Sequence, residues 1–167
     1  MSRYSLLADA FGYPGPESLE NLRAGLSGQD PGAARTAFAA FIRKIERFSL
    51  SEWEELYTRT WDLSPLAAPY VGYQIWGETT PRGHFLAEMN RALVLAGVDP
   101  KGELPDHLIP VLHYLEVSQD PLLPLMEILE PALKRMRAAL QEAERDNPYL
   151  DLLEAVLASL EVQKTTP

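Results

Sequence analysis

Asp106 and His107 put a carboxylate beside an imidazole, in the run Leu104-Pro105-Asp106-His107-Leu108. With Glu103 nearby, they have two chemical readings: acid–base work on a substrate, or a cluster of donors and acceptors that holds a guest. The acid–base reading identifies no nucleophile or electrophilic partner. The other histidines, His84 and His113, form no H-E-x-x-H ladder with His107. The sequence contains no G-x-S-x-G, Walker-type or G-x-G-x-x-G signature. Having no cysteine, it excludes disulfides, thiolate catalysis, iron–sulfur ligation and cysteine zinc sites. The expectation is a binding protein that is not an enzyme and carries neither metal nor cofactor.

An aromatic block precedes the pair: Tyr57 and Trp61, then Pro69, Tyr70, Tyr73 and Trp76, followed by Gly77-Glu78 and Arg82-Gly83. These rings read either as core or as the floor of a peptide groove. Tyr and Trp suit a groove because each joins an apolar body to a polar tip. Glu78 and Arg82 are spaced to pair along a helix, as are Glu88 and Arg91. His84 falls opposite Phe85 and Met89 and should be exposed near Glu88.

Positioning falls to helices. Asp30-Pro31, Thr80-Pro81, Asp120-Pro121 and Asn147-Pro148 each place a capping side chain before a proline, which gives up only an amide that a first turn leaves unpaired. The apolar spacing predicts helices over 2–11, 17–26, 31–48, 51–61, 69–76, 81–96, 105–117, 122–130, 131–144 and 148–162. Ser51 with Glu54 forms a candidate capping box, and Gly97 closes the helix begun at Pro81. In the helix expected from Pro105, Leu108, Val111, Leu112 and Leu115 face the core, while Asp106 and His113 point nearly opposite. Asp106 in that first turn also suits the helix dipole. Pro110 lies four residues on, has no N–H and would free the Asp106 carbonyl. A carbonyl, a carboxylate and an imidazole would then meet at one spot, suited to a guanidinium or backbone donors of a guest peptide.

No strand-like alternation of useful length appears, so the expected fold is an all-α, single-domain helical bundle of about eight to ten helices over 1–162, with 163–167 as a frayed tail. Acids outnumber bases by 24 to 15, giving a net charge of −9. That balance repels phosphate backbones and attracts basic peptides, or serves solubility alone. The hydrophobic fraction of 46% and charged fraction of 23% are those of a globular chain. The N-terminal apolar run is interrupted by Asp9, and no stretch reaches the roughly 18 apolar residues that span a bilayer. A cytoplasmic location follows as the expectation.

The block from about Glu52 to Val117 resembles the nitrate reductase delta-subunit (NarJ-type) assembly chaperones, within the wider TorD/DmsD group of redox-enzyme maturation proteins. The resemblance lies in Glu55-Leu56-Tyr57-x-x-Thr60-Trp61-Asp62-Leu63, Tyr70-x-x-Tyr73, Gly77-Glu78-x-x-x-Arg82-Gly83, Ala96-Gly97-Val98 and Glu103-Leu104-Pro105-Asp106-His107-Leu108. It implies a TorD/DmsD-like, all-helical cytoplasmic chaperone. Such proteins bind the apo catalytic (alpha) subunit of a molybdenum-dependent reductase, often at its N-terminal segment, and hold it for molybdenum-cofactor insertion before membrane docking. Cofactor-delivery proteins would be further partners, and nucleic acid none. A monomer is expected, with a dimer as the alternative. The resemblance assigns Asp106 and His107 to client-peptide binding, and sets Tyr57, Trp61, Pro69 and Tyr70 near the same groove. Trp76 joins them as a further aromatic of the block. Trp61 stands where phenylalanine is usual, Pro110 one place later than the common proline, and His113 where relatives are often acidic. The alternative function is a permanent non-catalytic helical subunit of a membrane-associated reductase.

Overall fold

Prolines lead into the helices, but the caps are not always the residues in front of them. In the computed structural model, which describes residues 3–63 and 65–165, the fold is all-α. Among the described residues there are nine helices and no strand: α1 Arg3–Ala10, α2 Ser18–Ser27, α3 Ala33–Ile45, α4 Leu50–Trp61, α5 Val71–Trp76, α6 Thr80–Ala96, α7 Leu108–Val117, α8 Leu123–Ala143 and α9 Tyr149–Thr165. No helix is long and apolar enough to cross a membrane.

Asn147-Pro148 acts as predicted, with Asn147 Oδ1 accepting from Tyr149 N–H at 2.9 Å. Elsewhere the expectation shifts. Thr80 is already helical, and Thr79 holds the cap position of α6 without a side-chain bond. Asp30-Pro31 and Asp120-Pro121 remain in the connections, and α3 follows Gly32 while α8 follows Leu122. The capping box is built by Ser49 and Glu52, not Ser51 and Glu54. Ser49 Oγ accepts from Glu52 N–H at 3.1 Å, and the Glu52 carboxylate accepts from Ser49 N–H at 2.9 Å. Glu54 instead accepts from the Tyr13 hydroxyl at 2.6 Å. The pattern S-x-x-E occurs twice in overlapping frames, and the earlier one adds Leu50 to the helix.

The two helices expected over 122–130 and 131–144 are one. Pro131 sits inside α8 on its exposed side, where it removes a hydrogen bond at a cost of about 3 kcal/mol. Leu125, Leu129, Ala132, Leu133, Met136 and Leu140 continue one buried stripe across it, and that burial holds the helix together. The tail expected to fray is helical as far as Thr165; Gln163 accepts from the Tyr4 hydroxyl at 2.6 Å, and Lys164 bonds Glu130. The predicted start at Ser2 and the last two residues lie outside the described range.

The core lies where α3 packs along α9, α1 on α7, and α5 and α9 on α8. Phe41, Leu56, Met89, Leu108, Leu112, Met136 and Tyr149 are fully buried there. α5 and α6 flank the start of α7, and the chain before α7 folds back on the chain before α5. That crossing positions the site.

Candidate functional site

Tyr70 and His107 are extended and pair as an isolated antiparallel bridge, while Pro105 and Asp106 form a turn closed by His107 N–H donating to the Leu104 carbonyl at 3.0 Å. Val71 N–H donates to the Asp106 carbonyl at 2.9 Å, and Leu108 N–H donates to the Pro69 carbonyl at 2.9 Å. Two helices expected to begin at Pro69 and Pro105 therefore start later, at Val71 and Leu108. Pro69 leads directly into the bridge, and Pro105 takes the second position of the turn before it, which its fixed φ suits.

The consequence for Asp106 reverses the expectation. Its side chain does not point to solvent: it is 0% exposed. Oδ2 accepts from Gly72 N–H and from Arg82 Nε, both at 3.1 Å, and Oδ1 accepts from Arg82 Nη2 at 3.2 Å. Its carbonyl is not freed by Pro110, because Asp106 precedes the helix. Pro110 falls in the first turn of α7, where a missing N–H costs nothing. A guest guanidinium finds this carboxylate already bound.

Arg82 is the residue the sequence reading missed. It was paired with Glu78; instead it turns inward from the first turn of α6, 9% exposed, and forms a two-point ion pair with Asp106. Its guanidinium carbon stands 5.6 Å from the Tyr70 ring centroid and 5.5 Å from that of Tyr73. A cation in a first turn opposes the helix dipole, and that misplaced charge was the signal that a carboxylate waits elsewhere. Nor is there an ion pair between Glu88 and Arg91 among the described residues. Gly72 was also overlooked. A Cβ there would lie 2.8 Å from Asp106 Oδ2 and 3.0 Å from Phe85 Cδ2, so only glycine lets α5 approach the carboxylate.

His107 is buried and serves as the N-cap of α7, its Nδ1 accepting from Ile109 N–H at 3.1 Å. That bond requires an unprotonated Nδ1. Burial holds the imidazole below its usual pKa, while Glu103 and Asp106 pull in the other direction. Its ring meets Tyr70 edge-on at 5.2 Å. The Tyr70 hydroxyl donates to Glu103 Oε2 at 3.3 Å; burial and then the Glu103 charge raise its pKa.

The remaining predicted residues divide. Pro69 is buried and belongs to the bridge. Tyr57 is half-buried on α4, edge-on to Tyr13 at 5.3 Å. Burial, then the charges of Asp62, Glu103 and Tyr70, raise its pKa to about 12. Trp61 is core instead of groove. It is 5% exposed and packs edge-on against Phe11 and Tyr149, each at 5.5 Å, with its Nε1–H lacking a hydrogen-bond partner. Trp76 leans on Phe85 at 5.3 Å, one turn after Gly72 on the same face of α5, where Phe85 also crowds Gly72. His84 is exposed as expected, and His113 is half-buried where an exposed position was expected.

Outward from the buried node the surface is aromatic, aliphatic and acidic. Tyr73, against Arg82, is 40% exposed, and Leu104 is exposed beside Glu103, which accepts from Tyr70; exposed Leu63 and Tyr13 line a separate hollow at α4 with Glu54 and Arg59. Among the described residues no group of three or more His, Asp or Glu is placed to hold a metal ion. No protein-family model matches the chain, and no curated protein is detectably similar to it.

Proposed function

We propose that this chain is a cytoplasmic assembly chaperone for a molybdenum-dependent reductase, respiratory nitrate reductase foremost. It would bind the apo catalytic subunit at its N-terminal segment and hold it for cofactor insertion before membrane docking. The observation that carries this reading is convergence. Tyr70, Tyr73, Arg82, Asp106 and His107 come from separate fragments of the motif block and are built into one site by the chain crossing. The chemistry of that site favours gripping over bond-breaking. Asp106 is committed to Arg82 and Gly72, and the Nδ1 lone pair of His107 is committed to the helix cap.

The contact surface is then the exposed rim rather than the carboxylate itself. A basic amphipathic segment would set its apolar face on Tyr73 and Leu104 and a charge near Glu103. Burying about 500 Å² of apolar surface at ~25 cal/mol/Å² contributes roughly 12 kcal/mol gross, against about 2–5 kcal/mol to order the segment. With association losses a micromolar complex remains, weak enough to release the client. The test is co-purification with tagged protein from cells that make the reductase, with and without molybdenum cofactor. Capture of the apo catalytic subunit, and absence from the mature complex, is the expected result. Preferential capture of the loaded form, or stoichiometric presence in the mature complex, would overturn the reading.

A further inference from the structure

From Gly83 to Arg91 the exposed positions of α6 are small or polar, but its last turn is not. Leu93 points into the core, while Val94 and Leu95 turn outward by about 100° per residue and stand in water, Leu95 89% exposed. No basic side chain occupies that turn, where the helix dipole favours one. Leu95 forms one edge of a hollow of about 510 Å³ between α6 and the chain that leaves α7. Ala92 and Ala96 continue its wall, and Tyr114, Val117 and Leu122 form the opposite one. Val117 is 55% exposed, and Leu123, next to Leu122, is exposed as well. Single apolar side chains on a surface are ordinary, whereas a contiguous set around a concavity marks an interface. We propose that a second copy of this chain covers the hollow, in a twofold dimer where each Leu95 enters the concavity of the other copy. The proposal is independent of the chaperone reading, and none of its residues belongs to the Asp106 site.

Shape and charge both select a second copy as the occupant. A projecting leucine and an apolar hollow lie on the same face, which is what a self-complementary, isologous contact requires. A twofold axis along the hollow sets the α6 wall of each copy on the opposite wall of the other, so both leucines are buried at once. Arg91 stands on the α6 wall and Asp120 on the opposite one. Both are exposed, and neither has a hydrogen bond or ion pair within the chain among the described residues. Glu88, the third charged group of the rim, is half-buried on the same wall as Arg91. The same axis brings each Arg91 to the Asp120 of the other copy, twice by symmetry. Rim pairs of this kind set register and reject wrong partners more than they add affinity. The hollow is also preformed. Leu122 N–H donates to the Tyr114 hydroxyl and Ser118 N–H to the Tyr114 carbonyl, both at 2.9 Å, so the far wall needs no ordering before contact.

Sedimentation equilibrium of the full-length chain at rising concentration tests the proposal. The expected result is a monomer–dimer equilibrium that Leu95→Glu weakens about tenfold or more. Because that side chain lies in water in the single copy, the variant should keep its helical circular dichroism. Arg91→Glu should weaken the dimer as well, and adding Asp120→Arg to it should restore the association. A native chain that stays monomeric at millimolar concentration overturns the inference. So does a dimer indifferent to Leu95→Glu, as an exchange of helices between copies would give. An Arg91→Glu loss that Asp120→Arg fails to repair overturns it too.

Discussion

The Asp106–Arg82 node and the ring cluster around Tyr149 are both sealed from water, yet they are held by different forces. At Tyr149 the partners are Phe41 at 5.2 Å, Trp61 at 5.5 Å and Tyr57 at 6.5 Å, with the Trp53 indole donating to its hydroxyl at 3.0 Å. Packing there is additive: each ring contributes area, and even the orphan indole N–H of Trp61 is tolerated. At Asp106 the carboxylate is fully satisfied and nearly every contact depends on another. A buried charge is costly unless paired, so removing one partner exposes the full desolvation penalty of the other. The aromatic cluster supplies stability, whereas the node specifies how the chain before α5 and the chain before α7 cross.

That contrast can be broken most sharply by comparing single and double variants. Asp106→Ala leaves Arg82 buried and unpaired and should cost about 3–5 kcal/mol. Tyr149→Ala should cost a similar amount, about 3–5 kcal/mol, through lost area and a cavity. The two differ in compensation. Adding Arg82→Met to Asp106→Ala should recover much of the loss in denaturant unfolding, while adding Trp61→Ala to Tyr149→Ala should deepen it. Equal behaviour of the two doubles would contradict the distinction.

Gly72→Ala is a subtler attack on the node, since its methyl would fall 2.8 Å from Asp106 Oδ2. Overpacking of this kind costs about 1–3 kcal/mol and should lower Tm without altering the aromatic cluster's near-UV signal. The corresponding test in the other region is Trp61→Phe, which deletes the orphan donor together with part of a ring. Those effects oppose one another, so the expected change is within about 1 kcal/mol. A loss as large as that of Tyr149→Ala would mean that the indole N–H has a partner after all.

Acid should separate the regions as well. His107 is buried with a lowered pKa, so the unfolded chain takes up the proton more readily than the folded one. Its contribution is complete above the ordinary imidazole value near 6.5 and is lost as pH falls below it, so stability rises with pH across that window. His107→Asn keeps a capping oxygen and removes the titration, and it should flatten the slope. An unchanged slope would place the responsible group elsewhere.

The helices were legible because their signals are local. Leu108, Val111, Leu112 and Leu115 face the core as their spacing predicts, and Gly97 ends α6 as expected, in the left-handed conformation. What was not legible depends on distance along the chain. Nothing near Asp106 announces that Arg82 and Gly72 will reach it, so its carboxylate was read as surface. Pro110 was read as a break because the start of α7 was set three residues early. Ser49 and Ser51 carry the same local pattern, and only packing chooses between them. Tyr70, Asp106 and His107, from separate fragments of the motif block, meet through a bridge that helical periodicity has no means of indicating.

The central claim is that the exposed rim beside this node receives a basic segment of another polypeptide. Calorimetric titration of the N-terminal peptide of the apo reductase subunit into the native chain and into Tyr73→Ala/Glu103→Gln tests it directly. The account predicts micromolar binding with a negative heat-capacity change, weakened by salt and reduced about tenfold or more in the folded variant. No binding to the native chain, or equal binding to both, would contradict it.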